Sequence, residues 1–195
     1  MKLKNRYFLL RHGRTIYQGR KKAFIYPSLP KNKQVPLTKK GQREIKKAAE
    51  LLKNKKIDLI FCSDFLRTKE TAQIVANALG VKKVIPDKRL RDINFGVLHG
   101  KKREDFYRLF PRGDKKRFFQ APQKGESWLQ CQKRMEHFLK EMEKKYKDKN
   151  ILIVSHGDPL WLLEGAVKKM SKNQLLEQKK KNFIRTGELR ALETS

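Results

Sequence analysis

Along the chain, short blocks of nearly unbroken apolar residues alternate with longer stretches in which apolar positions recur every three or four residues. YFLLRH (7–12), IDLIFCSD (57–64), VKKVIPD (81–87) and NILIVSHG (150–157) read as strands, and ELRAL (188–192) is a weaker candidate for a last one. The first, second and fourth are apolar at almost every position, the pattern of strands covered on both faces. The stretches between them read as helices. Thr38 is placed to cap KKGQREIKKAAELLKNK, in which Ile45, Ala48, Ala49 and Leu52 share one face. A second helix is expected over about 65–79, stopped by Gly80. A third begins near Ser127, where Trp128, Cys131, Met135, Phe138, Met142 and Tyr146 recur at helical spacing. That stripe reads as core rather than as a cofactor site. No repeat or low-complexity linker divides the chain. The alternation predicts one α/β domain over residues 1–195, a three-layer sandwich with a mostly parallel central sheet and helices on both faces. Residues 18–37 and 96–124 show neither period; they are expected to be irregular and to cover a site.

Composition adds a constraint. The 195 residues are 38% hydrophobic, enough for a sizeable core. Lys and Arg number 49 against 20 Asp and Glu, a net charge of +29. Such a charge attracts polyanions, so nucleic acid and anionic membranes enter consideration. The basic residues, however, are spread through helix-like segments instead of forming one tail, which favours a solvated surface over a dedicated nucleic-acid footprint. The charge still favours capture of a small phosphorylated substrate. Cys62 and Cys131 fall in apolar positions without metal-ligand spacing and read as buried thiols. The N-terminal apolar run is broken at Arg11, too early for a signal segment or a membrane span. A soluble, cytoplasmic protein with no membrane partner is expected. Oligomeric state leaves no sign in the sequence.

The strand ends carry the chemistry. In open α/β sheets ligands bind beyond the carboxyl ends of the strands. The first strand ends in Arg11-His12-Gly13-Arg14-Thr15, the second in Ser63-Asp64 with Arg67 opening the next helix, and the fourth in Ser155-His156-Gly157-Asp158. Three strand ends thus bring two histidines and at least two arginines to one rim. Guanidinium groups crowded around an imidazole repel unless an anion lies between them. Gly13 and Gly157 are expected to let the backbone approach that anion, and the helix N-termini that follow offer N–H donors.

These segments resemble the histidine phosphatase superfamily, the group of cofactor-dependent phosphoglycerate mutases and many small phosphatases. RHGRT (11–15), VPLTKKGQREI (35–45), CSDFLRTKETAQIV (62–75), RLRDINFGVLHG (89–100), GES (125–127) and IVSHGD (153–158) follow the family order. The resemblance implies that His12 is the nucleophile that accepts the phosphoryl group. It implies that Arg11, Arg67 and His156 hold the phosphate oxygens, with Gly157 beside them. Asp92 matches the carboxylate that protonates the leaving oxygen and later activates water, and Glu126 is the first alternative for that acid. No metal and no cofactor is implied. Neutral imidazole is a competent nucleophile near pH 7, and phosphoryl transfer needs mainly positioning and charge stabilisation, which arginine forks supply.

The sequence departs from the family in places. Gln18 stands where asparagine is common, so its phosphate contact is an expectation only. Asp92 replaces the commoner glutamate, Arg14 stands where the signature often has glutamate, and His99 lies near the site with no inherited role. Mutases of the group carry Arg and Tyr just after the acid to grip a substrate carboxylate; here Ile93 and Phe95 occupy those places. The implied activity is therefore a metal-independent phosphomonoesterase working through phosphohistidine on a small phosphorylated substrate. The alternatives are a phosphoglycerate mutase and a non-catalytic, basic nucleic-acid-binding protein on the same fold. Sugar phosphates, nucleotides, phosphoproteins and cofactor precursors all suit the basic, aromatic loops.

Overall fold

The computed structural model describes residues 3–111 and 115–193. Five strands form one sheet: β1 (Arg6–Arg11), β2 (Leu59–Cys62), β3 (Val84–Pro86), β4 (Asn150–Ser155) and β5 (Leu189–Leu192). Their order is β3-β2-β4-β1-β5, with the first four parallel and β5 antiparallel to β1. The helices are α1 (Lys39–Leu52), α2 (Leu66–Leu79), α3 (Arg103–Leu109), α4 (Trp128–Lys145), α5 (Gly157–Val167) and α6 (Lys172–Asn182).

Strand alternation explains the layers. Successive side chains of a strand point to opposite faces. Phe8, Leu10, Ile60, Cys62, Leu152 and Val154 pack against Ile45, Ala48, Ala49 and Leu52 of α1 and Ala72, Val75 and Ala76 of α2. Tyr7, Leu9, Phe61, Ile151 and Ile153 pack against Met135, Phe138, Leu139 and Met142 of α4 and Leu160, Leu163 and Val167 of α5. Both faces are therefore covered, as the unbroken apolar runs require. Cys62 and Cys131 are buried free thiols. Helix ends fall where the sequence sets them. Thr38 accepts a hydrogen bond from Gly41 N, Ser127 and Gln130 form a capping box, and Gly80 closes α2 at φ 70°.

The two stretches expected to be irregular hold more structure than that. Short 3-10 turns occupy Lys31–Gln34 and Lys115–Phe118, α3 lies in the second stretch, and Phe24 bridges Lys102 between the two. Residues 112–114 of that stretch lie outside the described residues. The α3 helix lacks a sheet-facing stripe: Phe106 packs against the rings of Phe95 and Phe110, so its apolar pattern is too short to show a period. No helix among the described residues is long and apolar enough to cross a membrane.

Candidate active site

The parallel register of β1 and β4 sets Arg11 opposite Ser155, so the two chains leave the sheet side by side. His12 N donates to Ser155 O at 3.0 Å, and the rings of His12 and His156 meet edge to face with centroids 5.1 Å apart. His12 is almost wholly buried, and its Nδ1 lies 2.8 Å from Gly13 O. A carbonyl only accepts, so Nδ1 carries the proton and Nε2 keeps a bare lone pair. Burial, then the charges of Arg67 and Arg11, push the pKa of His12 well below 6.5. This imidazole is neutral and nucleophilic.

His156 is fully buried, and among the described residues neither of its ring nitrogens has a hydrogen-bond partner. Burial, then Arg67 and His12, hold its pKa well below 6.5 as well. It sits at the N-cap of α5, with Nδ1 3.7 Å from Asp92 Oδ2. Arg67, 0% exposed, is aimed by Asn32, whose backbone oxygen and Oδ1 accept from Nη1 at 3.1 and 3.0 Å. Its guanidinium lies between the rings of Tyr26 and Phe65, 4.2 and 4.8 Å from their centroids. Nη2 approaches Asp92 Oδ2 at 3.5 Å. Arg11 donates from Nη1 to Ile184 O at 2.8 Å and lies over Phe183, while its Nε has no partner. Burial lowers the pKa of both arginines. Two guanidinium groups with unpaired donors, brought to one spot, form a site shaped for an anion.

Asp92 is the carboxylate at this spot. Burial raises its pKa despite the opposing charges of Arg67 and Arg11, so its protonated form is favoured beyond the ordinary carboxylate range. Its backbone is held from behind, with Arg134 donating to Asp92 O at 3.1 Å and to Arg89 O at 2.5 Å. Glu126, the alternative acid, is committed elsewhere. It takes a two-point contact from Arg134 at 2.6 and 3.0 Å and accepts from Asn94 N, and it does not line the cavity.

Several expectations change. Gln18 lines the cavity, but its Oε1 accepts from Thr15 N at 2.8 Å and its Nε2 donates to Tyr26 OH at 3.0 Å. It thereby ties the β1 loop to Tyr26, which covers Arg67. Gly13 is needed for packing rather than for ligand approach, because a Cβ there would lie 2.6 Å from Gly41 O on α1. Gly157 lines the cavity and leaves room for Phe183 and Arg11; a Cβ would meet the Phe183 ring at 2.8 Å. Arg14 turns to Glu44, with Nε 3.2 Å from Oε1. His99 is structural, bridging Tyr26 O and Asn94 Oδ1. Asn32 and Arg134 escaped the sequence reading: each acts on a partner far along the chain, and no local pattern marks it. Among the described residues, no three His, Cys, Asp or Glu side chains gather in a metal-binding group.

The cavity over this spot measures about 520 Å³. Besides Arg11, His12 and Asp92, its wall includes Phe95, Phe106, Phe110, Arg103 and Arg117. Asp158 and Lys179 lie on it too, paired with each other, with the Lys179 ammonium caged by the rings of Trp128, Trp161 and Phe183. Burial works against the charge of Asp158, but Lys179 outweighs it and holds the carboxyl below its ordinary range.

The family model described as "Histidine phosphatase superfamily (branch 1)" matches residues 7–183. A probable phosphoglycerate mutase GpmB of Yersinia enterocolitica is 31% identical over 163 residues, covering 80% of this chain and 71% of that one. Phosphoserine phosphatase 1 of Hydrogenobacter thermophilus is 28% identical over 159 residues, covering 78% and 71%. The solved structure of the native mycobacterial glucosyl-3-phosphoglycerate phosphatase superposes with a TM-score of 0.80 over 95% of this chain and 88% of that one, at 23% identity.

Proposed function

The chain belongs to the histidine phosphatase superfamily, branch 1, and on that premise we propose that it is a phosphomonoesterase in which His12 is transiently phosphorylated. The observation that carries the reading is the His12 ring: Nδ1 is tied to Gly13 O, which leaves Nε2 to react, and the charges of Arg67 and Arg11 bear on the ring. Nε2 attacks phosphorus as the bond to the leaving oxygen breaks. Asp92 gives its proton to that oxygen, so the alcohol departs neutral. Arg11, Arg67 and His156 bear on the equatorial oxygens, where charge is spread in the transition state. In the second half, the Asp92 carboxylate takes a proton from water as its oxygen attacks phosphorus. The P–N bond breaks and its electron pair returns to Nε2, restoring neutral His12, protonated Asp92 and free phosphate. Splitting one displacement into two is the gain of covalent catalysis.

The substrate is a small phosphorylated molecule, and the site is cytoplasmic. The name of the Yersinia relative favours a second reading, a phosphoglycerate mutase. Against it, Ile93 is buried among Phe118, Trp128 and Trp161, and Phe95 offers only a ring to the cavity. Neither can pair with a carboxylate. The test is mass spectrometry of protein quenched without acid after mixing with a phosphomonoester, beside assays for phosphate release and for 3-phosphoglycerate isomerisation. A phosphoryl group on His12 with release of phosphate is expected. Labelling on His156 instead, or isomerisation outrunning hydrolysis, would overturn the reading.

A further inference from the structure

The cavity holds more recognition chemistry than one phosphoryl group uses. Arg117 is 1% exposed and lines the wall, yet only its Nη1 is engaged, donating to Glu126 O at 2.6 Å and Gln120 O at 3.3 Å. Among the described residues its Nε and Nη2 have no hydrogen-bond partner, and the group faces the rings of Phe106, Phe110 and Trp128 at 5.3 to 5.7 Å. Arg103 lines the same wall from the first turn of α3, with its Nε on Lys22 O at 2.7 Å. Among the described residues, neither arginine forms an ion pair with a carboxylate. Between them α3 presents Phe106, which packs edge to face on Phe95 and Tyr107. Leaving buried guanidinium donors unpaired is costly, and an anionic ligand would remove that cost.

We propose that the leaving group of the substrate is a nucleoside carrying a second phosphate, seated between Arg103 and Arg117 with its base on the aromatic wall of α3. The inference rests on the phosphatase reading above and names the class of molecule the site takes. A nucleoside bisphosphate and the phosphorylated end of an oligonucleotide share this chemistry. Three observations favour a nucleotide over other doubly anionic phosphomonoesters. The second anion site is flanked by rings, and every base has a face that stacks on an aromatic side chain, whereas phosphoglycerate and phosphoserine offer no ring. The volume of about 520 Å³ is that of a pocket for a whole small molecule and leaves any further chain to run out over the rim. Around that rim, the described residues of 18–37 and 96–124 carry 13 Lys and Arg against 2 Asp and Glu, a field that draws in polyphosphates.

The experiment compares kcat/KM for adenosine 5′-monophosphate, adenosine 3′,5′-bisphosphate, a 5′-phosphorylated tetranucleotide, 3-phosphoglycerate and a phosphoserine peptide, with 4-nitrophenyl phosphate as reference. The bisphosphate is expected to exceed the monophosphate by about tenfold or more, as one added charge-assisted contact implies. Added salt should shrink the ratio. Arg103→Gln should bring it towards one, and Arg117→Met supplies a second variant should either fold poorly. Using a ratio cancels any general loss of activity. If the tetranucleotide matches the bisphosphate, the phosphorylated oligonucleotide end is included; if it is excluded, the substrate is the free bisphosphate. Equal rates for mono- and bisphosphate, a ratio that survives both substitutions, or faster turnover of phosphoglycerate or the peptide would overturn the proposal. Calorimetric binding of the same two adenosine nucleotides to His12→Ala gives the ratio without turnover. A wild-type protein inactive on 4-nitrophenyl phosphate would thus refute the phosphatase reading, while the binding ratio still decides on the second phosphate site.

Discussion

On the proposed mechanism, replacing Asp92 by asparagine separates the acid from the nucleophile. The change keeps the side-chain volume and an Oδ1 to accept from Ile93 N, a bond of 3.0 Å in the native protein. Arg67 stays aimed because Asn32, not Asp92, holds its Nη1. Removing a carboxylate 3.5 Å from Arg67 Nη2 also leaves that guanidinium less neutralised, so phosphate binding should not weaken. What is lost is the proton. An alkyl phosphate departs as a strongly basic alkoxide and needs it; 4-nitrophenyl phosphate departs as a stable phenolate and hardly does. Phosphoenzyme formation from alkyl phosphates should therefore slow by about 10²- to 10⁴-fold, a barrier increase of about 2.7 to 5.4 kcal/mol. Formation from 4-nitrophenyl phosphate should slow by less than about tenfold. Steady-state turnover drops for both, because the same carboxylate activates water, so the nitrophenol burst after rapid mixing is the proper observable. Phosphoenzyme should accumulate in the variant, and His12→Ala should show no burst. Equal loss of burst rate for both leaving groups would mean that Asp92 only shapes the pocket. Glu126 would not inherit the role, since Arg134 holds both its oxygens.

Other outcomes follow from the same geometry. Treatment with EDTA should leave turnover intact, since cationic side chains surround the phosphate position where metal enzymes place carboxylates; loss restored by a divalent ion would refute this. Gly13→Ala should destabilise the protein by about 1–3 kcal/mol in urea unfolding, because the new methyl meets a backbone oxygen of α1 at 2.6 Å and neither partner can rotate away. His12 and His156 are held neutral in the fold, with pKa values below the 6.5 of the unfolded chain. Protons bind the unfolded state first, so stability is complete above about pH 6.5 and falls below it, by at most about 2.7 kcal/mol per pH unit for two groups. Denaturant titrations from pH 7.5 to 5 should show a fall of that sign, offset in part by Asp92, whose raised pKa makes the fold take up a proton first, and His156→Gln should reduce the fall.

Much of the architecture was legible because both faces of the sheet are covered: β1, β2 and β4 are apolar at every inward position, and α1 and α4 carry clean stripes. The helices left unread fail that test for opposite reasons. α5 is buried on nearly all sides, so it has no polar face to set a period, while α6 buries only Leu175 and Leu176. In the site, Arg11, His12, Arg67 and His156 were legible as polar residues at strand and helix ends, where sheet topology must bring them together. The orienting partners were not. Asn32 aims Arg67 across 35 positions and Arg134 holds the Asp92 backbone across 42, and only the folded chain makes those pairings. Gly13 was legible as important, while its close packing on α1 was not.

The position of β1 also governs how the chain is made. Among the described residues its partners in the sheet are β4 and β5, both of which follow β2 and β3 in the chain. About 140 residues separate Arg11 from Asn150, and at ribosomal speeds of about 5–20 residues per second they take roughly 7–28 s to emerge. Through that interval the segment Tyr7-Phe8-Leu9-Leu10 has no sheet edge to join, while β2, β3 and α2 already have one another. The growing chain thus presents a sticky apolar ribbon at β1 to whatever holdase is near the tunnel exit. His12 cannot meet His156 until β4 and the start of α5 have left the tunnel, so the two halves of the candidate site come together late.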